Sequence, residues 1–283
     1  MAINPNWLQA QFSDLKNIQP LDDGGQKSVF TADHPVDGKI VLKLFHPGAN
    51  VDRAVREVEA VAAVRSSRVP RILESGTVTA STGDIIWFRE EFVDGQSLRE
   101  KIRNGPLSDQ EILRIGLHAL EALRDAEACR IVHRDIKPEN IIVRLDGSAF
   151  ILDFGLARHL DKVSLTATGP LGGMGTVGYA PPEQFRNLKP EQDSRTDLFA
   201  LGVTLYECVE SINPFRDGAR DLAEVLHRVE NTLLPPIGRP IDGNNELSQL
   251  ILSMTRPKLS YRPATVVEAY NWMKEICDRE NVT

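Results

Sequence analysis

Residues His133 to Asn140 read HRDIKPEN and contain the clearest chemical signal in the chain. Asp135 supplies a carboxylate that can accept a proton from an attacking hydroxyl. Lys137 can neutralise charge on a phosphoryl group, and the side-chain carbonyl of Asn140 can bind a hard cation. An ordinary polar turn between a helix and a strand is the simpler interpretation, but this order of residue types favours phosphoryl-transfer chemistry.

A second motif, Asp153-Phe154-Gly155, begins thirteen positions after Asn140. The apolar residues 150–152 in front of it predict a buried strand, so Asp153 should lie at a strand end that faces a cleft. A carboxylate there suits Mg²⁺, which needs only one or two protein ligands besides phosphate oxygens. A plain turn would explain the triplet alone, but its place after the first motif favours a metal site.

The pattern of apolar residues predicts a β-rich first part of the chain. From about residue 20 to 92, short apolar runs are separated by Gly, Pro and Asp turns, which is typical of strands. Among them, apolar residues recur at helical spacing from Val51 to Ala62. We expect a small β-rich lobe that ends in a hinge near residues 91–95.

The rest of the chain follows a different pattern. Ser108 and Glu111 form a capping box in front of a long helix that should run to about Ala128. Short strand pairs are expected around 131–132 and 141–152, and the last third of the chain indicates mainly helices. The sequence therefore predicts two lobes with a cleft between them.

The composition is that of an ordinary globular domain, with 41% hydrophobic and 26% charged residues among 283. A formal net charge of −7 argues against nucleic acid or an anionic membrane as the main partner. No signal peptide and no bilayer-spanning stretch is expected. The three cysteines have no metal-type spacing, so we expect reduced thiols in a cytoplasmic protein; they are Cys129, Cys208 and Cys277.

These motifs together resemble the signature set of eukaryotic-type (Hanks-type) Ser/Thr protein kinases, among which the chain looks most like bacterial members. Ala180-Pro181-Pro182-Glu183 is similar to the family's Ala-Pro-Glu element. Asp197 resembles the helix-anchoring Asp of the family, and Arg262 resembles the Arg that pairs with the Glu of that element, here Glu183. Five ordered motifs at the family's spacings carry the resemblance.

The resemblance covers about residues 20–277 and implies a fold class of α+β, the two-lobed protein kinase fold. It places a small β-rich N-lobe at about 20–93 and a larger, mainly helical C-lobe at about 96–279. Residues 1–19 would then form an N-terminal extension, and 20–279 the kinase domain.

The resemblance also implies a role for each catalytic residue. Asp135 would orient a Ser or Thr hydroxyl and accept its proton. Lys137 and Lys43 would stabilise phosphate charge, and Asn140 and Asp153 would hold Mg²⁺ or Mn²⁺.

Lys43 needs an acidic partner from the helix that follows its strand. Glu57 and Glu59 are both available, and helical periodicity leaves the choice between them open. The resemblance favours Glu57.

The glycine-rich loop departs from the family's pattern. The frame G-x-G-x-x-G-x-V falls on Asp22, Gly24, Lys27 and Val29, so only the middle glycine and the valine remain, with Gly25 added. Lost glycines can loosen a phosphate cradle, and Lys27 could compensate with its charge. The residues implied to bind ATP are Gly24, Gly25, Lys27, Val29, Val41, Lys43, Glu91, Val93 and Ile142.

The predicted hinge shows a second departure. The backbone from Glu91 to Val93 should hold the adenine, and Glu90 then falls where the family usually has an apolar residue. A buried carboxylate is costly unless paired, so Arg89 or a nearby base should satisfy it. A register that is off by one residue is the alternative.

Arg134 resembles a sensor for a phosphorylated activation segment, which would run from Asp153 to Glu183. A plain mobile loop is the alternative. Lys137 resembles Ser/Thr rather than Tyr kinases, and Thr176 should contact it from the substrate side. The candidate phosphorylation sites are Ser164, Thr166 and Thr168, whereas Thr176 should be needed unmodified.

The expected function is transfer of the ATP γ-phosphoryl group to a Ser or Thr hydroxyl of a protein, together with autophosphorylation. A pseudokinase that acts as a nucleotide- or partner-binding module is the alternative suggested by the altered glycine loop. A small-molecule kinase is a further alternative, but it would not need the element at 180–183 or Arg262. The sequence leaves the physiological substrate and the oligomeric state open.

Overall fold

The computed structural model describes residues 5–23, 27–45, 55, 58–59, 61–80, 83–154, 176–188, 191–238 and 240–282. These residues form two compact units. The first comprises the described residues up to Arg65 together with Pro70–Val93. The second comprises Ser66–Val69 and the described residues from Asp94 onward.

The first unit is an antiparallel sheet of five strands in the order β1-β2-β3-β5-β4, preceded by helix α1 (Pro5–Gln11). The first strand begins at Lys16, four residues before the boundary expected from the sequence. The strands are β1 (Lys16–Asp23), β2 (Lys27–His34), β3 (Gly38–Phe45), β4 (Ile72–Ala80) and β5 (Gly83–Glu91).

The two faces of this sheet bury different side chains because successive residues of a strand point to opposite sides. On one face, Ile40, Leu42 and Leu44 of β3 pack with the N-terminal segment, which contributes Leu8 and Phe12. The other face is covered by a second apolar cluster, whose buried members are Phe45, Val58, Ile86 and Phe88.

The second unit is mainly helical, with a small sheet in the order β6-β7-β8. Helix α5 is buried along its length from Thr196 to Val209, so it forms the centre of this unit. Among the described residues, no helix is both long and apolar enough to cross a lipid bilayer. The strands are β6 (Gln96–Ser97), β7 (Ile141–Val143) and β8 (Ala149–Ile151), and the helices are α2 (Leu98–Asn104), α3 (Asp109–Ala128), α4 (Pro182–Phe185), α5 (Ser194–Glu210), α6 (Leu222–Asn231), α7 (Glu246–Met254) and α8 (Val266–Arg279).

Helix α3 begins and ends where the sequence predicts. The Ser108 side chain accepts a hydrogen bond from the backbone N–H of Glu111 (3.3 Å), and the Glu111 carboxylate accepts one from the N–H of Ser108 (3.0 Å). This reciprocal capping box satisfies two N–H groups that the first turn leaves without helical partners.

The strand expected around residues 131–132 is wrong, and β7 pairs with β6 and β8 instead. The N–H of Ile131 bonds back to the carbonyl of Ala126 (2.9 Å), which closes the end of α3. The N–H groups of His133 and Arg134 donate to a side chain of α5. The backbone here is therefore held by helices and has no strand partner.

Candidate active site

Asp197, near the start of α5, fixes the backbone of the loop that contains Asp135. Its two carboxylate oxygens accept the N–H groups of His133 and Arg134, each at 2.7 Å. Arg134 has a left-handed φ of 67°, a conformation that this double contact holds in place. Burial raises the pKa of Asp197 to about 7, although the two N–H donors oppose that rise. The anchoring contact expected from the sequence is present.

Asp135 lies at the centre of a cluster of polar side chains. Lys137 Nζ contacts one carboxylate oxygen of Asp135 at 2.9 Å, and the amide nitrogen of Asn140 donates to the same oxygen at 3.2 Å. The hydroxyl of Thr176 donates to the other oxygen at 2.7 Å. Lys137 Nζ also donates to the Thr176 hydroxyl at 3.1 Å, which is the contact that the sequence predicted. The structure thus brings together a carboxylate, an ammonium group and an alcohol.

Asn140 and Asp153 are joined through the backbone at the end of β8. The N–H of Leu152 donates to the carbonyl of Asn140 (2.8 Å), and the His133 ring contacts the carbonyl of Leu152 (2.7 Å). Asp153 follows directly, in a left-handed conformation with φ 59°. The buried Phe154 ring packs against His133, with the ring centroids 4.6 Å apart.

The side chains of Asn140 and Asp153 are of the types that bind a magnesium ion. The side-chain amide nitrogen of Asn140 donates to Asp135, so the side-chain oxygen of Asn140, Oδ1, is the atom that can bind a cation. Together with the Asp153 carboxylate it gives two oxygen donors, which is the number Mg²⁺ takes from proteins that also present phosphate oxygens to it. Within the described ranges, no group of three or more His, Cys, Asp or Glu residues is placed to hold a metal ion.

Glu183 and Arg262 form the buried ion pair that the sequence predicted. The two guanidinium nitrogens contact the two carboxylate oxygens at 2.6 and 3.0 Å, and each residue is 4% exposed. Thr196 adds a hydrogen bond to the same carboxylate (3.2 Å). The neighbouring Gln184 donates to the carbonyl of Arg134 (2.8 Å), which connects α4 to the loop that contains Asp135.

A second buried network in this unit was missed from the sequence. Arg99 of α2 donates to Glu139 (2.8 Å), to Glu207 of α5 (2.7 Å) and to the hydroxyl of Tyr179 (2.5 Å). Burial, together with the nearby Glu207 charge, raises the pKa of Tyr179. The available signal was Glu207 itself, because a carboxylate in an otherwise apolar helix must find a partner.

In the first unit, Lys43 and Glu90 form a buried ion pair, with exposures of 3% and 7%. Glu90 therefore contacts Lys43, whereas Arg89 lies on the other side of the strand and contacts Asp14 (2.7 Å) and Glu74. The strand register places Glu90 opposite the buried Val41, so Glu90 points inward, as the resemblance implied.

Several of the expected nucleotide-binding residues can be placed in the first unit. Val29 and Val41 are buried in neighbouring strands, whereas Glu91 is half-buried and contacts Arg71 at 2.9 Å. Lys27 begins β2. Ile142 lies in β7 of the second unit, and Val93 follows β5. The expected residues that lie outside the described ones are Gly24, Gly25, Glu57, Ser164, Thr166 and Thr168.

The sequence was compared with protein families and with curated proteins. The protein kinase domain family matches residues 16–277. A probable serine/threonine-protein kinase of Clostridium perfringens is 30% identical over 273 residues, which cover 94% of this chain and 38% of the relative. A probable serine/threonine-protein kinase PknB of Bifidobacterium longum is 34% identical over 230 residues, which cover 77% of this chain and 33% of the relative. The chain thus spans about a third of the length of these curated relatives.

Proposed function

Because the chain belongs to the protein kinase family, we propose that it transfers the γ-phosphoryl group of ATP to a Ser or Thr hydroxyl of a protein substrate. The observation that carries this proposal is the hydrogen bond from an alcohol to Asp135. The names of the bacterial relatives, which are serine/threonine-protein kinases, support the same choice of acceptor.

Asp135 acts as the residue that orients the acceptor hydroxyl and takes its proton. The Thr176 hydroxyl lies 2.7 Å from one of its oxygens, within the range expected for a general base and its proton donor. Lys137 and Asn140 hold the other oxygen, so the carboxylate cannot rotate freely. An acceptor alcohol that approached Asp135 would therefore meet a carboxylate already in position.

The remaining residues manage negative charge. Lys137 and Lys43 provide ammonium groups for phosphate oxygens, and Asn140 and Asp153 provide the oxygen donors for Mg²⁺ or Mn²⁺. ATP, bound with its metal ion, supplies the phosphoryl group that is transferred. Catalysis by such residues rests on positioning and on electrostatic stabilisation, with little covalent chemistry by the protein itself.

We also propose that the protein phosphorylates itself and that it works in the cytoplasm. Candidate acceptors are Ser164, Thr166 and Thr168, which lie between the Asp153 motif and Thr176. The three cysteines are free, which suits a reducing compartment.

Radiolabelled ATP with Mg²⁺ and a basic generic protein tests the proposed activity. Asp135→Asn should lower the rate of transfer by orders of magnitude and leave binding of ATP largely unchanged, because it removes the base but no phosphate ligand. Mass spectrometry of the wild-type protein should find phosphate on at least one of the three candidate residues. Wild-type protein that transfers no label beside an active control kinase would favour the pseudokinase.

A further inference from the structure

Lys43 and Glu90 lie on the same face of the first unit's sheet. Lys43 of β3 is paired with Phe88 of β5, and Val41 is paired with Glu90. Because residues two apart in a strand share a face, all four side chains point to the same side. Lys43 Nζ lies 5.4 Å from the centre of the Phe88 ring and contacts the Glu90 carboxylate directly.

The surroundings make this ion pair strong. Lys43 is 3% exposed and Glu90 is 7% exposed, and their neighbours on this face include the buried Val41 and Phe88. A buried ammonium group or carboxylate is unfavourable unless it is paired, so each of the two charges compensates the other. In such a medium of low dielectric constant, their attraction is also screened much less than it would be at the surface.

We propose that Glu90 sets the affinity of this protein for nucleotides, because it holds Lys43 in an ion pair that a nucleotide phosphate must displace. The inference rests on the proposed function, in which Lys43 binds ATP phosphates. The carboxylate contacts Nζ, the atom that a phosphate needs. A phosphate that reaches Lys43 also comes close to Glu90, and the two negative charges repel each other.

The opposite role for Glu90 would be to present Lys43 to the phosphate, as a positioning residue. The two roles predict opposite changes in nucleotide affinity when the charge of Glu90 is removed. If Glu90 competes with the phosphate, its neutralisation tightens binding of nucleotides while it destabilises the nucleotide-free protein. If Glu90 presents Lys43, its neutralisation weakens binding. General damage to the fold would also weaken binding, so tightening with loss of stability separates competition from both.

Glu90→Gln is the informative change because it keeps the size of the side chain and removes its charge. We expect the dissociation constant of the fluorescent nucleotide mant-ATP, measured with Mg²⁺, to fall by about tenfold or more. The melting temperature of the nucleotide-free variant should fall by several degrees, because the buried Lys43 loses its contact with the charge of Glu90.

Glu74→Gln is the matched control. It removes a carboxylate from the neighbouring strand β4, at the exposed edge where Glu74 contacts Arg89. Its mant-ATP affinity should stay within about twofold of the wild type, as is usual for exposed ion pairs. Glu90→Asp covers the case in which Glu90→Gln fails to fold. It keeps the compensating charge, but its shorter side chain reaches Lys43 less well, so mant-ATP should bind with intermediate affinity.

Adenosine provides a ligand control, since it has no phosphate for Lys43. Its affinity, measured by displacement of mant-ATP, should not change in Glu90→Gln. Equal tightening for adenosine would mean that Glu90 acts on the base and not through Lys43, and would overturn the inference. Unchanged or weaker mant-ATP binding in the folded variant would overturn it as well, as would the absence of mant-ATP binding in both proteins.

Label transfer to protein, measured on the same samples, tests the proposed function separately. Tighter mant-ATP binding in Glu90→Gln without any transfer would remove the proposed kinase activity and leave the role of Glu90 in place. Normal transfer by the wild type, together with no gain in nucleotide affinity in Glu90→Gln, would support the proposed kinase activity and overturn the role of Glu90.

Discussion

Thr176 is the residue whose contacts say most about the chemistry of the site. Its hydroxyl bridges Asp135 and Lys137, donating to the carboxylate and accepting from the ammonium group. One small side chain therefore keeps both charged groups in a fixed relation. A hydroxyl between them also shows that the space beside Asp135 accepts an alcohol.

Thr176→Val should lower the rate of phosphoryl transfer by about tenfold, because it keeps the shape and removes the bridging hydroxyl, at a cost of about 1–3 kcal/mol. Thr176→Ser keeps the hydroxyl and should retain most of the activity. Transfer of radiolabel at saturating ATP is the measurement, with nucleotide affinity as the control. Equal rates for the Val variant and the wild type would show that the bridge does not order the site.

At the residue scale, sequence reasoning succeeded where the chemistry lies within one short motif. Asp135, Lys137 and Asn140 are close in sequence, so their clustering follows from a single loop. The pairing of Lys43 with Glu90 did not follow, because it depends on strand register across residues that are 47 positions apart.

The elements of the second unit are held together by buried polar contacts as well as apolar packing. The pair between Glu183 and Arg262 joins α4 to the segment that precedes α8. Arg262 also donates to the carbonyls of the adjacent residues Arg256 (2.8 Å) and Pro257 (3.1 Å), so its guanidinium group fixes the turn that follows α7.

Arg262→Ala should lower the free energy of unfolding by about 3–5 kcal/mol, since it leaves the Glu183 carboxylate buried and unpaired. The melting temperature measures this loss, and exposed Arg220→Ala serves as the comparison. Arg262→Lys should recover only part of the stability, because an ammonium group cannot make the two parallel contacts of a guanidinium group. An unchanged melting temperature in Arg262→Ala would contradict the assignment.

His118 connects α3 to β8 in a way that depends on its protonation. Its Nδ1 accepts the backbone N–H of Ala149 (3.1 Å), which requires the neutral ring. Burial lowers the pKa of His118 to about 4. The unfolded chain therefore takes up a proton between about pH 6.5 and pH 4 that the folded protein does not, so stability is lost as the pH falls through that window.

His118→Gln should flatten the dependence of unfolding free energy on pH between about 6.5 and 4, by an amount on the order of 2 kcal/mol. Denaturant unfolding at several pH values is the measurement. His227→Gln, which changes an exposed histidine of α6, is the control and should leave the pH profile as it is in the wild type. A profile that His118→Gln does not alter would refute this account.

The element boundaries show why local signals predict some features and miss others. The start of α3 was predictable because the cap from Ser108 and Glu111 is encoded within four residues. The expected strand at 131–132 failed because the N–H of Ile131 bonds to α3 and the N–H of the following His133 bonds to Asp197, a contact that no local pattern reveals. The network around Arg99 likewise depends on residues up to 108 positions apart.

At the scale of the whole molecule, the change from alternating to helical periodicity correctly separated a β-rich unit from a mainly helical one. The start of the first unit was harder to predict. Apolar side chains of a short helix pack well on a sheet, but a seven-residue helix gives little periodic signal. The sequence therefore predicts an extension at residues 1–19, whereas Leu8, Phe12 and Leu15 of this region are at most 5% exposed.

Deletion of residues 1–15 tests the contribution of this segment. It removes the Phe12 ring, whose centroid lies 5.0 Å from that of Trp87 with the two ring planes nearly perpendicular. It also removes Asp14, which forms an ion pair with Arg89. We expect a lower melting temperature, a red shift of tryptophan emission and increased light scattering. A monodisperse truncated protein with the melting temperature of the full chain would contradict this expectation.

Because residues 5–15 pack on the sheet, the folded unit begins earlier in the sequence than the match to the kinase family does. The match to the kinase family begins at residue 16, whereas the folded core already includes residues of the segment from Pro5 to Leu15. A fragment that began at residue 16 would expose the apolar face of the sheet formed by Ile40, Leu42 and Leu44. An exposed apolar face of this kind promotes aggregation of the protein. Low yield or inactivity of that fragment would then report a misplaced cut and would say nothing about the catalytic competence of the intact protein.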